Sequence, residues 1–272
     1  MKHTRLVSVF LAALLAVAPL CALAEEAFDY AHATDPWCPP GLQRATQPAT
    51  TTDLIARDCW PYSAVACLDV ELACGCTYHG GSAFLVADDC LMTAGHMLMC
   101  GEHHQPVIHL RVSFGYTEQD GEPDSYLYRY ETTEPEFWYN PLLIADGYHP
   151  NMGWDYGYVR VPPEAGQTVG HFGLSVRSDE ELTDLPVEVV GYPSGAFIPL
   201  TGNARPVSEQ VLHHWADAGR GHSGSPVFDA DGYVVAIHYS HAVTYDNAPL
   251  WCSGARITQS LIDEMRSHGF FQ

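Results

Sequence analysis

The strongest constraint on the fold is a series of short runs of β-branched, aromatic and apolar residues, which are separated by turn residues. Runs of this kind predict β-strands. They cover residues 63–72, 82–87, 90–94, 107–114, 126–131, 156–161, 186–190, 226–228 and 233–238. Because almost no helical pattern separates the runs, the sequence predicts an all-β barrel or sandwich.

A single helix is predicted, at the C-terminal end of the chain. Thr258 can cap its first turn, and Gly269 can end it. Apolar residues recur there at helical spacing, at Ile257, Leu261, Ile262 and Met265.

Residues 1–24 have the pattern of an export signal. A short basic head precedes residues 6–18, which are apolar apart from Ser8, and small residues follow at Ala22 and Ala24. The apolar stretch is shorter than the ~20 residues that a membrane-spanning helix needs. We therefore expect cleavage near Ala24, a secreted or periplasmic protein, and no membrane anchor.

The chain is strongly acidic. Its 12 Lys and Arg residues stand against 33 Asp and Glu residues, which gives a formal net charge of −21 at pH 7. Loss of Lys2 and Arg5 with the signal leaves ten Arg, no Lys and a net charge of −23. Binding to nucleic acid needs basic clusters that neutralise phosphates, so we expect no nucleic-acid partner.

The cysteines predict disulfides. An even number remains after the loss of Cys21, and an exported chain with eight cysteines can form up to four disulfides. These cysteines are Cys38, Cys59, Cys67, Cys74, Cys76, Cys90, Cys100 and Cys252. The segment Cys100-Gly-Glu-His103-His104 also fits zinc ligation. Pairing is favoured in an oxidising compartment, so the sequence predicts no metal and no cofactor.

The segment Gly221-His-Ser223-Gly-Ser-Pro226 precedes a predicted strand and is a candidate nucleophile turn. A reactive serine hydroxyl needs a tight turn and neighbouring backbone N–H groups that receive an oxyanion. Glycines on both sides permit that turn. An isolated segment of this composition is as typical of a surface loop, but two further motifs accompany it.

His96 and Asp155 complete the candidate site. His96 follows Thr-Ala-Gly at the end of a predicted strand, and histidine has an unperturbed pKa near neutrality, as a general base requires. Asp155 precedes an alternating strand, where a buried carboxylate can hold the imidazole in one tautomer. Asp146 is the competing acid, and Asp155 is favoured because no strand follows Asp146 directly.

The order of His96, Asp155 and Ser223 resembles that of the chymotrypsin-fold serine peptidases, and within them most closely the bacterial glutamyl endopeptidase family. The resemblance extends over residues 62–268. Its segments are Thr93-Ala-Gly-His96, Asp155-Tyr-Gly157, Thr168-Val-Gly-His-Phe-Gly173, Gly191-Tyr-Pro193, Gly221-His-Ser-Gly-Ser-Pro-Val-Phe228, Ala236-Ile-His238 and Gly254-Ala-Arg-Ile-Thr258.

The resemblance implies two packed antiparallel six-stranded β-barrels and a C-terminal helix. The chain then divides into a signal peptide (1–24), an N-terminal arm or pro-segment (25–57), a first barrel (58–155) and a second barrel with the helix (156–272). Arg44 and Arg57 are candidate cleavage sites for activation of a zymogen. The resemblance also implies a disulfide near the histidine, in which Cys76 or Cys90 pairs with Cys100.

The implied activity is that of a serine endopeptidase. His96 takes the Ser223 proton, Ser223 attacks the scissile carbonyl, and the backbone N–H groups of Gly221 and Ser223 form the oxyanion hole. Water then hydrolyses the acyl-enzyme, and no metal is required. Proteins or peptides are the expected substrates, and a monomer is expected. The alternatives are a non-catalytic binding module of the same fold and a structural cell-surface protein, which would need an anchor or repeats.

The specificity residues leave two alternatives open. His238 matches the histidine with which the glutamyl family recognises a Glu side chain. Ala218 replaces a hydroxyl usual in that family, and His241 lies where a small residue commonly lines the pocket. Asp217 lies where trypsin-like enzymes keep the acid that binds Lys or Arg. Cleavage after Glu, and secondarily Asp, is predicted first, and cleavage after Arg or Lys through Asp217 is the alternative.

Overall fold

The computed structural model describes residues 34–45, 49, 56–118, 124–145, 153–245 and 249–270. The predicted signal peptide, Cys21 and Asp146 lie outside the described residues. No helix within the described ranges is both long and apolar enough to cross a membrane.

The first of two large sheets has seven antiparallel strands in the order β5-β4-β1-β2-β3-β7-β6. Its strands are β1 Val65–Leu72, β2 Thr77–Ala87, β3 Cys90–Thr93, β4 Val107–Phe114, β5 Tyr128–Thr132, β6 Phe137–Tyr139 and β7 Gly157–Arg160. Within the described residues, β5 and β6 are its two edges, so the sheet curls without closing.

The second sheet closes into a barrel, because β12 pairs with both β9 and β13. The strands of this sheet are β8 Gly173–Leu174, β9 Pro186–Gly191, β10 Ile198–Pro206, β11 Val211–His214, β12 Pro226–Phe228, β13 Tyr233–Val243 and β14 Pro249–Arg256. Six of them form the barrel, and β8 adds to β13 as a parallel strand. The all-β class with two packed antiparallel β units is confirmed, with one closed barrel and one curled sheet.

The strand β7 belongs to the first sheet, where it pairs with β3 and β6. The predicted division between residues 155 and 156 had assigned this strand to the second barrel. The boundary lies later than predicted because β7 is an interior strand between β3 and β6, and the chain crosses to the second sheet only after Arg160.

Helices are few and short. The α-helices are α1 Leu142–Ala145, α2 Glu164–Val169, α3 Asp179–Leu182 and α4 Gln259–Ser267. Helix α4 is the predicted C-terminal helix. The Thr258 side chain accepts a hydrogen bond from the Leu261 N–H, at 3.2 Å, and Gly269 adopts a left-handed conformation after the last turn (φ 74°). Four short 3₁₀ segments occur in the part of the chain that the structure describes, at Ala56–Asp58, Tyr62–Ala64, Gly95–Met97 and Pro193–Gly195.

Part of the predicted N-terminal arm packs on the body of the protein. Trp37 and His171 exchange two backbone hydrogen bonds of 3.0 Å, and their rings stack. The Arg44 guanidinium lies 4.4 Å from the centre of the Trp60 ring, and Arg57 forms an ion pair with its neighbour, Asp58. Removal of the arm stays a prediction.

Disulfide bonds are absent among the eight cysteines of the described residues. Disulfide formation therefore stays a prediction. Of the partners predicted for Cys100, Cys76 lies close to it, in a group with Cys74 and His103. Cys90 lies outside that group, in β3, and is fully buried.

Aromatic side chains fill the main core, which includes residues of both sheets. Phe172 is completely buried and contacts the rings of Phe84, from the first sheet, and Phe228, from the second, at centroid distances of 5.8 and 4.9 Å. Its burial therefore stabilises the packing of one sheet on the other.

We predict that Phe172→Ala lowers the free energy of unfolding by about 3–5 kcal/mol, because it removes a buried ring and leaves a cavity. Urea denaturation followed by tryptophan fluorescence measures the change. Tyr245→Ala is the control, since Tyr245 is fully exposed and its truncation is expected to change stability by less than about 0.5 kcal/mol. Equal effects of the two substitutions would contradict the assignment of this core.

Candidate active site

Strand pairing in the first sheet brings His96 and Asp155 together. Thr93, at the end of β3, is paired with Gly157, at the start of the antiparallel strand β7. His96 follows β3 by three residues and Asp155 precedes β7 by two, so both leave the sheet at the same edge. The 3₁₀ turn Gly95–Met97 then directs the imidazole towards the carboxylate.

Both oxygens of the Asp155 carboxylate bind His96. Oδ2 lies 2.7 Å from the ring Nδ1, and Oδ1 accepts the backbone N–H at 2.8 Å. Asp155 is only 3% exposed, so water screens this pair weakly. Burial lowers the pKa of His96, but the charge of Asp155 and the hydrogen bond to it outweigh burial, and the pKa is raised above its usual value.

The turn that carries Ser223 is held by both sheets. The Gly224 N–H donates to the carbonyl oxygen of His238 in β13, at 2.8 Å, and the carbonyl oxygen of Ser223 accepts the N–H of Ser82 in β2, at 3.0 Å. A Cβ on Gly224 would lie 2.0 Å from the Ser82 oxygen and 2.2 Å from Oγ1 of Thr93. Only glycine fits there, and it brings Ser223 next to the strand that leads to His96.

Two backbone N–H groups of this turn have no hydrogen-bond partner among the described residues. They are those of Gly221 and Ser223. Gly221 has a left-handed conformation (φ 88°), and a Cβ on it would lie 2.4 Å from the Pro193 Cα. The glycine is therefore needed for the turn. The arrangement suits two adjacent donors that receive a developing oxyanion.

Three of the predicted specificity residues line one cavity, of about 480 Å³, in the second barrel. They are Asp217, Ala218 and His241. Asp217 is exposed and has a left-handed backbone conformation (φ 48°). Ala218 is buried, and its carbonyl oxygen accepts the Cys252 thiol at 3.2 Å. The cavity therefore has a buried inner part and an acidic residue at its exposed side.

The fourth predicted residue, His238, is not among the residues that line this cavity, but it contacts His214, which does. Their rings are joined by a 3.0 Å hydrogen bond between His214 Nε2 and His238 Nδ1, and both side chains are at most 1% exposed. Burial and neighbouring histidines lower the pKa of His214 to about 3 and that of His238 well below its usual value. Both rings are therefore neutral at neutral pH.

The tautomers of this histidine pair follow from one buried atom. His214 Nδ1 has no hydrogen-bond partner among the described residues. An unpaired buried N–H is disfavoured more than an unpaired acceptor, so the His214 proton belongs on Nε2 and is donated to His238 Nδ1. The neutral His238 ring then carries its own proton on Nε2. His238 therefore has one N–H available.

The prediction from sequence does not include His214. The chain has fifteen histidines, and no local motif distinguishes this one. Strand pairing is the signal that identifies it as a pocket residue. His214 pairs with Cys252 between β11 and β14, and Cys252 pairs with His241 between β14 and β13. Within the described residues, His214, His238 and Cys252 also form one of two groups whose donor atoms could hold a metal ion.

Comparisons with known proteins agree with this architecture. The fold is similar to that of a Glu endopeptidase solved in complex with MPD, with a TM-score of 0.57, 16% identity, and coverage of 85% of this chain and 98% of that one. It is also similar to the thermostable serine protease AL20 from an extremophilic microorganism, with a TM-score of 0.58 and 14% identity over 77% of this chain and 98% of the other.

A curated relative is a Bacillus subtilis (strain 168) protein named extracellular metalloprotease, which is 23% identical over 234 residues, or 83% of this chain and 68% of the relative. The sequence profile described as trypsin-like peptidase domain matches residues 81–237. The chain belongs to this family. It is a serine endopeptidase with the chymotrypsin fold, as the sequence predicts.

We predict that Asp155→Asn lowers the pKa of His96 from above to below its usual value of about 6.5, because the burial that remains disfavours the imidazolium. An NMR titration of the His96 Cε1–H resonance measures the shift. Asp217→Asn is the control with the same loss of charge, and it should leave this pKa nearly unchanged. An unaltered His96 pKa in Asp155→Asn would contradict the pairing described here.

Proposed function

We propose that this serine endopeptidase is exported, uses Ser223, His96 and Asp155 as its catalytic residues, and cleaves after Glu, and secondarily after Asp. The observation that supports the proposal is a pair of contacts made by these residues. These are the 2.7 Å contact between His96 and Asp155 and the 3.0 Å hydrogen bond between Ser82 and the Ser223 carbonyl.

The proposed reaction begins with proton transfer from the Ser223 hydroxyl to Nε2 of His96. Asp155 binds Nδ1 and thereby keeps the His96 proton away from Nε2, which must be free to accept. Ser223 Oγ attacks the scissile carbonyl, and the N–H groups of Gly221 and Ser223 receive the negative charge that develops on its oxygen.

Collapse of the tetrahedral intermediate returns the proton from His96 to the leaving amine and forms an acyl-enzyme on Ser223. Water, deprotonated by the same imidazole, then releases the acid product. His96 must be neutral to accept a proton, so activity falls as the pH drops through its pKa. Because this pKa is raised, the fall occurs at a higher pH than for an isolated histidine.

The proposed Glu preference is supported by the histidines around the 480 Å³ cavity. His238 has an N–H available on Nε2, and its ring is held by His214 at 3.0 Å. A fixed neutral donor can bind a carboxylate with less reorganisation than a mobile side chain requires. The carboxylate would in turn favour the imidazolium form of His238.

The rival specificity is also supported by a particular residue, Asp217, which lines the same cavity. A carboxylate there attracts Arg or Lys and repels Glu. Asp217 is exposed, so solvent screens its charge, whereas His214 and His238 are buried. We therefore favour cleavage after Glu. Loss of the Asp217 charge is expected to have opposite effects on Glu substrates and on Arg or Lys substrates.

Export rests on the sequence of residues 1–24, and a fluorophosphonate probe tests export and catalysis together. We expect the probe to label a protein in the culture medium or periplasm whose N-terminus follows Ala24, unless the arm is also removed. Ser223→Ala should abolish labelling because the probe reacts with the serine oxygen, while Ser225→Ala, two residues away, should retain it. Labelling of Ser223→Ala would exclude Ser223 as the nucleophile.

We predict that His238→Gln lowers kcat/KM for a Glu substrate roughly 10- to 150-fold, as expected for the loss of a hydrogen bond to a charged group. The matched substrate with Gln before the scissile bond should be affected much less. His241→Gln, on the exposed side of the cavity, is the control variant.

Asp217→Asn separates the two specificities in the same assay. If the protein cleaves after Glu, this substitution removes a repelling charge and raises kcat/KM for the Glu substrate. If the protein cleaves after Arg or Lys, it lowers kcat/KM for those substrates. Predominant cleavage after Arg or Lys in a digest of unrelated denatured proteins would reject the Glu assignment.

A further inference from the structure

Three cysteines and one histidine lie together where the turn between β1 and β2 meets the loop that follows the His96 turn. They are Cys74, Cys76, Cys100 and His103, and their donor atoms all lie within 4.8 Å of one another. The proposed reaction uses none of them. Cys74 and Cys76 come from the turn between β1 and β2, and Cys100 and His103 from the loop that follows the His96 turn.

The backbone of the β1–β2 turn presents both thiols to the same place. Gly75, between the two cysteines, has a left-handed conformation (φ 84°). Its N–H donates to the Leu72 carbonyl, and the Leu72 N–H donates to the Cys76 carbonyl, both at 2.8 Å. The turn is thus fixed by its own hydrogen bonds before any ligand is bound.

The second pair of donors is also held by its backbone. The Cys100 N–H donates to the Gln105 carbonyl at 2.9 Å, and the Cys100 carbonyl accepts the His104 N–H at 2.8 Å. The His103 N–H points to the Cys100 sulfur, at 3.4 Å. A backbone N–H that donates to sulfur stabilises the thiolate, which is the form that binds a metal.

The distances between donors match those around a tetrahedral zinc ion. Zn–S bonds of about 2.3 Å and Zn–N bonds of about 2.0–2.1 Å place sulfur and nitrogen roughly 3.5 Å apart. His103 Nδ1 lies 3.3 Å from the Cys100 sulfur and 3.8 Å from the Cys76 sulfur. The sequence predicts a disulfide of Cys76 or Cys90 with Cys100, and the zinc site is the alternative to it, because a single disulfide within this group would use two thiols and leave the third thiol and the imidazole without a role.

We propose that Cys74, Cys76, Cys100 and His103 bind a structural Zn²⁺ ion that fastens the β1–β2 turn to the loop following His96. Three thiolates and one imidazole fill the four positions of a closed tetrahedral site. The ion has no position for substrate or water, so its effect on catalysis is to hold the His96 segment in place. This proposal does not depend on which side chain the enzyme prefers.

The test begins with the full mature protein, purified without chelators and analysed for metal by plasma mass spectrometry. We expect about one zinc per chain, as one closed site requires. Replacement of zinc by Co²⁺ should give the visible absorption bands of tetrahedral cobalt with thiolate ligands. Iodoacetamide should modify Cys74, Cys76 and Cys100 only after a chelator has removed the metal.

Matched variants locate the ion. Cys76→Ser and His103→Asn should lose zinc, whereas Cys38→Ser and His104→Asn should retain it, since Cys38 and His104 lie outside the group. The cobalt spectrum and the alkylation pattern of the wild-type protein decide the question even if Cys76→Ser fails to fold.

Two results would overturn the proposal. One is a wild-type protein without metal, in which mass spectrometry before and after reduction shows a disulfide between two of the three cysteines or free thiols. The other is a bound metal that His103→Asn leaves in full amount with an unchanged cobalt spectrum.

Discussion

The candidate active site depends on the contact of Ser82 with the turn that carries Ser223, in which the Ser82 N–H donates to the Ser223 carbonyl. This contact joins β2 of the first sheet to the turn that precedes β12 of the second. The contact is so close that Gly224 cannot bear a side chain. Since His96 and Asp155 belong to the first sheet, neither can face Ser223 unless the sheets pack in this register. The buried ring of Phe172, which touches both sheets, stabilises the same packing.

The sequence predicts those parts of the structure whose cause is local. The nine predicted strands all overlap observed strands, and the ends of α4 follow from Thr258 and Gly269. Strands β10 and β11 were missed for a physical reason. Strand β10 contains Gly202 and ends at Pro206, and β11 has four residues, two of them histidines, so neither has the β-branched and aromatic composition from which the other strands were predicted. Pairing within a closed barrel stabilises both strands.

The same distinction applies to the site. His96 and Asp155 could be chosen from sequence because each adjoins a recognisable strand, and the pairing of β3 with β7 brings them together. His214 could not, because its neighbours His238 and Cys252 come from β13 and β14, and only the barrel register makes them meet. The candidate specificity pocket is thus less predictable than the candidate catalytic residues.

The two groups of potential metal ligands differ in whether their donors are available. In the pocket, Nε2 of His214 and Nδ1 of His238 are hydrogen-bonded to each other at 3.0 Å, so one ring nitrogen of each histidine is already occupied. The Cys252 thiol donates to the Ala218 carbonyl, and burial raises its pKa to about 11, so it stays protonated at neutral pH. Zinc binds the thiolate, and it would have to break both hydrogen bonds.

The group near His96 is organised in the opposite way. A backbone N–H donates to the Cys100 sulfur, and the backbone–backbone hydrogen bonds that hold both turns do not use the side chains of Cys74, Cys76 and His103. All four donors are therefore directed at one another without a competing carbonyl contact of the kind that occupies Cys252. This difference in hydrogen bonding favours the proposed zinc ion at this site and a metal-free histidine pair in the pocket.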